Sequence, residues 1–536
     1  MLDHDAPLPD STPVLIVGAG PVGATLALEL ARHGTRSTVV ERSTTVSAHP
    51  KMDFINGRSM ELLRRLGVTD EIRRRGVAPD EPFDFHWIAD PARPPVSVWK
   101  YPSVADLHRR FADISDGSAP LEPYQRLQGS LLEDVLRRRL REHPLVDLRE
   151  GWALLDLTDD GDEVSASLSD EVNGAMGSLR ASYLVGCDGG GSTVRRATGI
   201  TTRLSGPSTR HCDVYFRSED PALSRNGKFF LTVTAGGATL VNRDGGRTWT
   251  GTFVLGDVED EPDEPLAVVK ERLGIDFAVD EVLNVAYWNG RLAVADSYRA
   301  GRVFLAGDSA HQFYPTGGHG ANTGLGDAVD LGWKLAATLG GWAGPRLLGS
   351  YEAERRPVAL FNREMCANLL AVWMRFPQLA AAGASSPQLA AYLDKERFQI
   401  DNLGIHFGYH YTASPVIRYE GGAEPGWQWH SIVPGTVPGS RAPNLALEDG
   451  TPLFDRLGAG YTLVDLSGEN RGKDLVAQAV RKGLPFALLT VDDEAVRAAW
   501  ERALVLVRPD HHVAWRAEAA PAPRVWDDLL DQVTGG

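Results

Sequence analysis

Cysteine is scarce in this chain, and the three present, Cys187, Cys212 and Cys366, stand far apart. There is therefore no C-x-x-C redox pair and no four-ligand zinc spacing, and free thiols are the expected state. No uninterrupted apolar run is long enough to cross a bilayer, and the opening "MLDHDAPLPDST" has no apolar core of a signal peptide, so a cytoplasmic location is expected. Basic residues are outnumbered, 55 against 71 acidic, for a net charge of −16. That excess argues against nucleic acid or an anionic membrane as a partner. Internal repeats and long low-complexity tracts are also missing.

What remains is ordinary globular composition, 43% hydrophobic and 24% charged over 536 residues. The length predicts about three to four domains. In "PVLIVGAGPVGATLALELARHGTRSTVVER", Pro13 to Arg42, four apolar residues lead into Gly18, Gly20 and Gly23. Val22, Leu26 and Leu30 then recur at helical spacing until Gly34, and a second strand, Ser37 to Val40, ends on Glu41 and Arg42. Strand, glycine turn, helix and terminal acid together predict a dinucleotide site. Glycine lets the backbone approach two phosphates, the first helical turn offers free N–H groups, and the acid reaches a ribose.

Two further glycine-rich stretches follow apolar runs, "YLVGCDGGGSTVRRATGI" at Tyr183 to Ile200 and "GRVFLAGDSAHQFYPTGGHGANTGLGDAVDLGWKL" at Gly301 to Leu335. Between them, "KFFLTVTAGGATLVN" and "RTWTGTFVL" alternate apolar and polar positions, as an antiparallel sheet with one buried face does. Helical patterning runs from Leu335 to about Asp401, and a Gly-, Pro- and Trp-rich passage, Gly421 to Asn444, predicts a linker. "YTLVDL", "FALLTV" and "ALVLVRPDHHVAWRA" then predict three strands of a small α/β unit.

These three motifs, Gly18-x-Gly20-x-x-Gly23 with Glu41, "CDGGGSTVRR", and "GDSAHQFYPTGGHGANTG", resemble those of class A flavoprotein monooxygenases. This is the p-hydroxybenzoate hydroxylase fold, here similar to its phenol hydroxylase branch with a C-terminal thioredoxin-like domain. The resemblance implies a mixed α/β (α+β) fold with a Rossmann-like FAD-binding domain at 11–200 and 295–400, interrupted near 80–125 by substrate-domain segments. An antiparallel substrate domain would occupy 201–294, and a thioredoxin-like domain without C-x-x-C would occupy 421–536, where "PGSRAPNLALEDGTPLFD" and "LVRPDHHVAWRA" carry the likeness.

Carried over by motif, Gly18, Gly20, Gly23, Glu41 and Arg42 would hold the ADP half of a noncovalent FAD. Arg58 in "NGRSMELLRRLG" would reach the pyrophosphate and ribityl region, Gln128 in "RLQGSLLEDVL" would lie beside the ribityl chain, and Asp308 would accept from its hydroxyls. Pro315, Gly318, Gly320, Ala321 and Asn322 would form a loop, ahead of a helix starting near Asp327, whose N–H groups face the flavin N1 and O2 edge. His319, inside that loop, is not expected to be a ligand. Asp188 belongs to a motif linked to FAD and to the nicotinamide cofactor, and its plainer reading is a helix cap. With no second complete Rossmann unit, NADPH or NADH is expected to dock transiently.

The implied activity is NAD(P)H- and O2-dependent hydroxylation of a phenolic or polyketide-like aromatic ring through a flavin C4a-hydroperoxide, a reaction that needs no metal. The protein would hold the ring, exclude water and help ionise the phenol. Asp53, five residues before Arg58, and Tyr287 in "VAYWNGR" resemble the acid and the tyrosine of phenol hydroxylases, and are the candidate pair for that proton. The C-terminal domain, without cysteines, is expected to pack or to assemble a homo-oligomer. Baeyer–Villiger-type oxygen insertion on the same fold, or an antibiotic-sequestering flavoprotein without turnover, are the alternatives. A flavin halogenase would need W-x-W-x-I-P and a disulfide reductase a cysteine pair, and both are missing.

Overall fold

The computed structural model describes residues 7–49, 51–206, 208–256, 261–422 and 426–536. The first residues of the opening stretch and residues 423–425 of the expected linker lie outside them. Five parallel strands form the heart of an eight-stranded sheet, in the order Val303–Leu305, Met176–Gly186, Ser11–Val17, Ser37–Glu41, Val146–Glu150. Ser11–Val17 lies at its centre with Val14, Leu15 and Ile16 fully buried, as a strand covered on both faces requires. The Pro21–Arg32 helix packs against the His319–Leu339 helix on this sheet.

A second sheet of seven strands runs Glu281–Gly290, Thr209–Arg217, Thr248–Leu255, Ala238–Asn242, Leu231–Thr234, Phe85–Ile88, Ser97–Trp99. It is antiparallel except where Leu231–Thr234 meets Phe85–Ile88. One face is closed by the Pro265–Leu273 helix, through a core that includes Cys212, Val214, Phe216, Phe253 and Val269. The other face looks toward the parallel sheet.

Two expectations from periodicity are corrected. The helix expected near Asp327 begins at His319, so Gly320, Ala321 and Asn322 form its first turn. Its glycines are contact points: a Cβ at Gly324 would lie 2.6 Å from Val22 Cγ2, and one at Gly326 2.6 Å from Arg355 Nη2. "ALVLVRPDHHVAWRA" is a hairpin, Leu504–Val507 and Val513–Ala517, because Pro509 and Asp510 lead into a turn that His511 closes at φ 69°. These strands join a four-stranded sheet ordered Phe486–Thr490, Tyr461–Asp465, Leu504–Val507, Val513–Ala517, with the first pair parallel and the rest antiparallel. The Lys473–Arg481, Glu494–Trp500 and Pro523–Thr534 helices complete a β-α-β-α-β-β-α unit, the strand order and connectivity of a thioredoxin-like core.

A buried ion network ties this unit to the rest. Arg508 donates to both oxygens of Glu354, at 2.7 Å each, to Asp330 at 3.0 Å and to Asp510 at 2.7 Å, while Lys334 reaches Asp330 and Glu354. The three carboxylates lie close enough to suggest a cation site, but the two basic side chains already take their oxygens.

Candidate active site

The three glycine motifs converge at the C-terminal ends of adjacent parallel strands, the place where open α/β sheets bind nucleotides. At φ +103°, Gly18 turns the chain, and a Cβ there would lie 2.5 Å from the Cys187 carbonyl oxygen. A Cβ at Gly23 would lie 2.0 Å from the Gly18 carbonyl oxygen, which sets the close approach of helix to strand. A Cβ at Gly20 meets no atom of the described residues within 4 Å, so the backbone there borders open space. Gly20 caps the Pro21–Arg32 helix without any side-chain acceptor, and its first turn holds no acid. Those N–H groups are available to an anion.

Glu41 accepts from Ala19 N at 2.8 Å and from Ser43 N at 3.0 Å. Arg137, which sequence reasoning missed, lies buried beside it, with Glu133, Glu150 and the carbonyls of Ser43 and Thr45 as further partners. Arg42 is exposed at the strand end. Asp188 takes the plainer role: its carboxylate accepts from Ser192 Oγ and from Thr193 N and Val194 N, capping the Thr193–Ala197 helix.

Asp308 is open to solvent although protein crowds it from the sides, as on the floor of a deep cleft. Burial raises its carboxyl above the usual range, and His311 and Lys51 pull the other way. Beyond it, Pro315 is exposed, and Gly317 and Gly318, at φ +77° and +67°, deliver the chain to the His319–Leu339 helix, whose N-terminus again has no side-chain cap. Gly320 and Ala321 place free N–H groups there.

Four expected site residues are placed otherwise. Arg58 is buried and points away from the cleft, its guanidinium on Glu61 at 3.2 Å and on the Asp510 carbonyl at 2.6 Å. Asn322 spends its amide on the backbone, accepting from Asn56 N and donating to the Phe54 and Gly318 carbonyls. This side chain fixes the loop whose backbone N–H groups are the expected contact with the flavin. Asp53 forms a buried ion pair with Arg243, which also donates to Thr250 Oγ1 at 2.9 Å. Burial opposes the charge on Arg243, but Asp53 outweighs it and raises the guanidinium's pKa.

Tyr287 is on the wrong face of its strand. It pairs across from Cys212 and so packs toward the helix-covered core, while its neighbour Trp288 pairs with His211 on the cleft side. In a strand one residue's shift exchanges the faces. Asp53 and Tyr287 are therefore not brought together.

The cleft-side face carries His211, Asp213 and Tyr215 in alternation. His49 Nε2 lies 3.0 Å from Asp213 Oδ2, and the His49 ring meets Tyr215 edge to face at 6.3 Å. Tyr215 donates to Gln128 Oε1 at 2.9 Å, which places Gln128 at this face. Burial works against the charge of Asp213, but hydrogen bonds led by His49 keep its pKa below the ordinary value. His211 stacks on Trp288, centroids 4.1 Å apart, and burial pushes its pKa down to about 4. Thr209 Oγ1 links His211 Nε2, at 2.7 Å, to the hydroxyl of Tyr314, at 2.6 Å, just before the glycine loop. An aromatic wall of Phe54, Phe83, Tyr124 and Phe230 adjoins this group, with Arg126 lying 4.7 Å over the Phe230 ring. His49, Asp213, Tyr215 and Arg243 were missed as site residues. The available signal was polar residues recurring at every second position inside an apolar strand.

The open backbone at Gly20, the uncapped helix starts and the cleft-floor Asp308 fit a dinucleotide with a polyol chain. Comparison with known proteins agrees. A family model described as FAD binding domain matches residues 11–362, and one described as aromatic-ring hydroxylase, C-terminal, matches 435–536. The chain is 34% identical to FAD-dependent monooxygenase apdD of Emericella nidulans, over 97% of this chain and 90% of that one. It is 32% identical to aklavinone 12-hydroxylase RdmE of Streptomyces purpurascens, over 97% and 98%. Among solved structures, the rebeccamycin biosynthetic enzyme RebC with reduced flavin superimposes with a TM-score of 0.86 at 34% identity, covering 99% of both chains.

Proposed function

The chain belongs to the FAD-dependent aromatic-ring hydroxylases, and from that premise we propose that its substrate is a phenolic, polyketide-like ring whose hydroxyl proton passes to the His49–Asp213 pair. When bound, FAD would activate O2, one atom of which goes to the ring and the other to water, with electrons from NAD(P)H. Gly18, Gly20 and the first turn of the Pro21–Arg32 helix would hold its pyrophosphate, Glu41 its adenosine ribose and Asp308 its ribityl chain. The N–H groups of Gly320 and Ala321 would face the pyrimidine edge, where negative charge gathers on reduction.

The observation that carries the base assignment is a nearly buried histidine–carboxylate pair on the sheet face turned to the cleft. Asp213 orients the imidazole through Nε2 and stabilises the imidazolium that forms, leaving Nδ1 to meet a phenolic hydroxyl. Ionisation raises electron density at the ortho and para carbons. The aromatic wall positions the ring and keeps water out. An aromatic substrate is also in keeping with the chain's similarity to aklavinone 12-hydroxylase and to the aromatic-ring hydroxylase family.

Replacing His49 by Gln should lower hydroxylation about 10²–10⁴-fold, the usual contribution of a general base. FAD content and NAD(P)H-driven flavin reduction should persist, with more hydrogen peroxide per NAD(P)H. Parental hydroxylation by His49→Gln would remove the pair from the mechanism. The wider reading fails if FAD-loaded protein gives no NAD(P)H- and O2-dependent product with any of a panel of phenols and polycyclic aromatics.

A further inference from the structure

Behind the glycine loop is a second polar space, on the side of the His319–Leu339 helix turned away from Val22 and Glu29. It is a cavity of about 20 Å³ walled by the Gly57–Arg64 helix, the first turns of His319–Leu339, the middle of Pro345–Ala381 and the Leu403–Phe407 turn. Each wall contributes a buried polar atom with no hydrogen-bond partner among the described residues: Arg58 Nε, His319 Nδ1, Asn362 Oδ1 and His406 Nε2. The four residues are 4%, 4%, 8% and 5% exposed. Buried polar atoms in folded proteins are mostly bonded to protein or to ordered water, and four of them on residues lining one cavity point to a ligand. A water needs roughly 10–15 Å³ and two to four polar partners, and both conditions are satisfied here.

We propose that this chamber binds a structural water that fixes His319, and through it the glycine loop that faces the flavin. The mechanical link is short. A Cβ on Gly317 would lie 2.5 Å from His319 Nε2, so the imidazole is packed directly under the loop. A second link runs through the chamber wall: Arg355 pairs with Asp327, which also accepts from Gly307 N and meets His311 Nε2 at 2.8 Å, on either side of Asp308. Burial pushes the His319 pKa down to about 4 and that of His406 well below the ordinary value. Both rings are thus neutral, and each can donate at one nitrogen and accept at the other, as a bridging water requires. His319 is in this reading a positioning residue, acting on the cofactor through Gly317 and Gly318.

The inference rests on the loop facing the flavin, so two measurements are paired. A high-resolution crystal structure of the FAD-loaded enzyme should show one water bonded to His319 Nδ1 and Asn362 Oδ1. A featureless cavity, or an anomalous peak there after a bromide soak, overturns the water assignment. Asn362→Leu removes one partner and fills the space. It should keep full FAD stoichiometry while shifting the bound flavin's two-electron equilibrium about tenfold, roughly 30 mV. A parental potential and visible spectrum in Asn362→Leu overturn the positioning role. If the parent itself bound no FAD, the functional reading beneath would be the one to fail.

Discussion

Replacing Gly20 by valine should strip the protein of FAD and leave its fold nearly untouched. The backbone at Gly20, φ −64° and ψ 178°, is extended and open to any residue, and a Cβ there meets no atom of the described residues within 4 Å. The cost to folding is that of a poorer helix N-cap, about 1 kcal/mol. The cost to binding is larger, because the branched side chain fills the space over the first helical turn. Each N–H bond to a charged phosphate contributes about 1.5–3 kcal/mol. Losing two weakens FAD binding by about 3–6 kcal/mol, or roughly 10²–10⁴-fold in Kd. Gly18 and Gly23 serve as controls of opposite sign, since Cβ atoms there collide with backbone at 2.5 and 2.0 Å and should damage the fold itself. The assay is fluorescence titration of flavin-stripped protein with FAD, beside thermal unfolding of the same apoproteins. A Gly20→Val apoprotein that melts like its parent and binds FAD as tightly would refute the path of the pyrophosphate over this residue.

Tyr287→Phe should hydroxylate at the parental rate and coupling, since the ring packs on the helix-covered side of the sheet; loss of coupling in a product-per-NAD(P)H assay would return Tyr287 to the site. Asp53→Asn should lower stability by about 3–5 kcal/mol through the stranded Arg243, a loss read by denaturant unfolding without substrate, and an unchanged midpoint would reopen its role as a base. Acid should weaken the fold well before the carboxylates titrate. His211, His319 and His512 have folded pKa values of about 4, below the 6.5 of an unfolded histidine, so under pH 6.5 the unfolded chain binds protons the native one does not. Stability then falls from pH 6.5 to 4, by about 2 kcal/mol per histidine at pH 5. Equal denaturation midpoints at pH 7.5 and pH 5 would contradict it.

The parts of the molecule legible in its sequence are those in which one short segment does the work. Gly18 to Glu41 contains its strand, turn, helix and acid within one stretch, so the physics that places them is local. The start of the His319–Leu339 helix was missed because Gly320, Gly324 and Gly326 look like breakers, whereas two of them are places where Val22 and Arg355 press in. Arg58 is expected at the cleft from its likeness to the family's arginine, but the partner that turns it away, Asp510, is 452 residues distant. No periodicity reports such a contact. The adjacent residues Tyr287 and Trp288 illustrate the same limit in a strand: one must face the cleft, and only the pairing register, Cys212 with Tyr287 and His211 with Trp288, decides which.

The sheet face proposed for catalysis nevertheless left a trace that general reasoning can use. Thr209–Arg217 has a strand on each side, and both of its faces are covered. Cys212, Val214 and Phe216 fill one core, so their neighbours in the alternation would ordinarily be apolar too. They are His211, Asp213 and Tyr215. Three polar side chains on one covered face of an interior strand, His211 and Asp213 buried and Tyr215 half-buried, need hydrogen-bond partners, since a buried one left unmet costs about 1–3 kcal/mol. Here the partners are Thr209, His49 and Gln128, drawn from the strand's own edge and from two separate segments of the nucleotide-binding side. A polar face that the fold covers and supplies with partners from a cofactor cleft is stabilised for chemistry at that cleft, and a strand alternating apolar with titratable residues marks it before any contact is known.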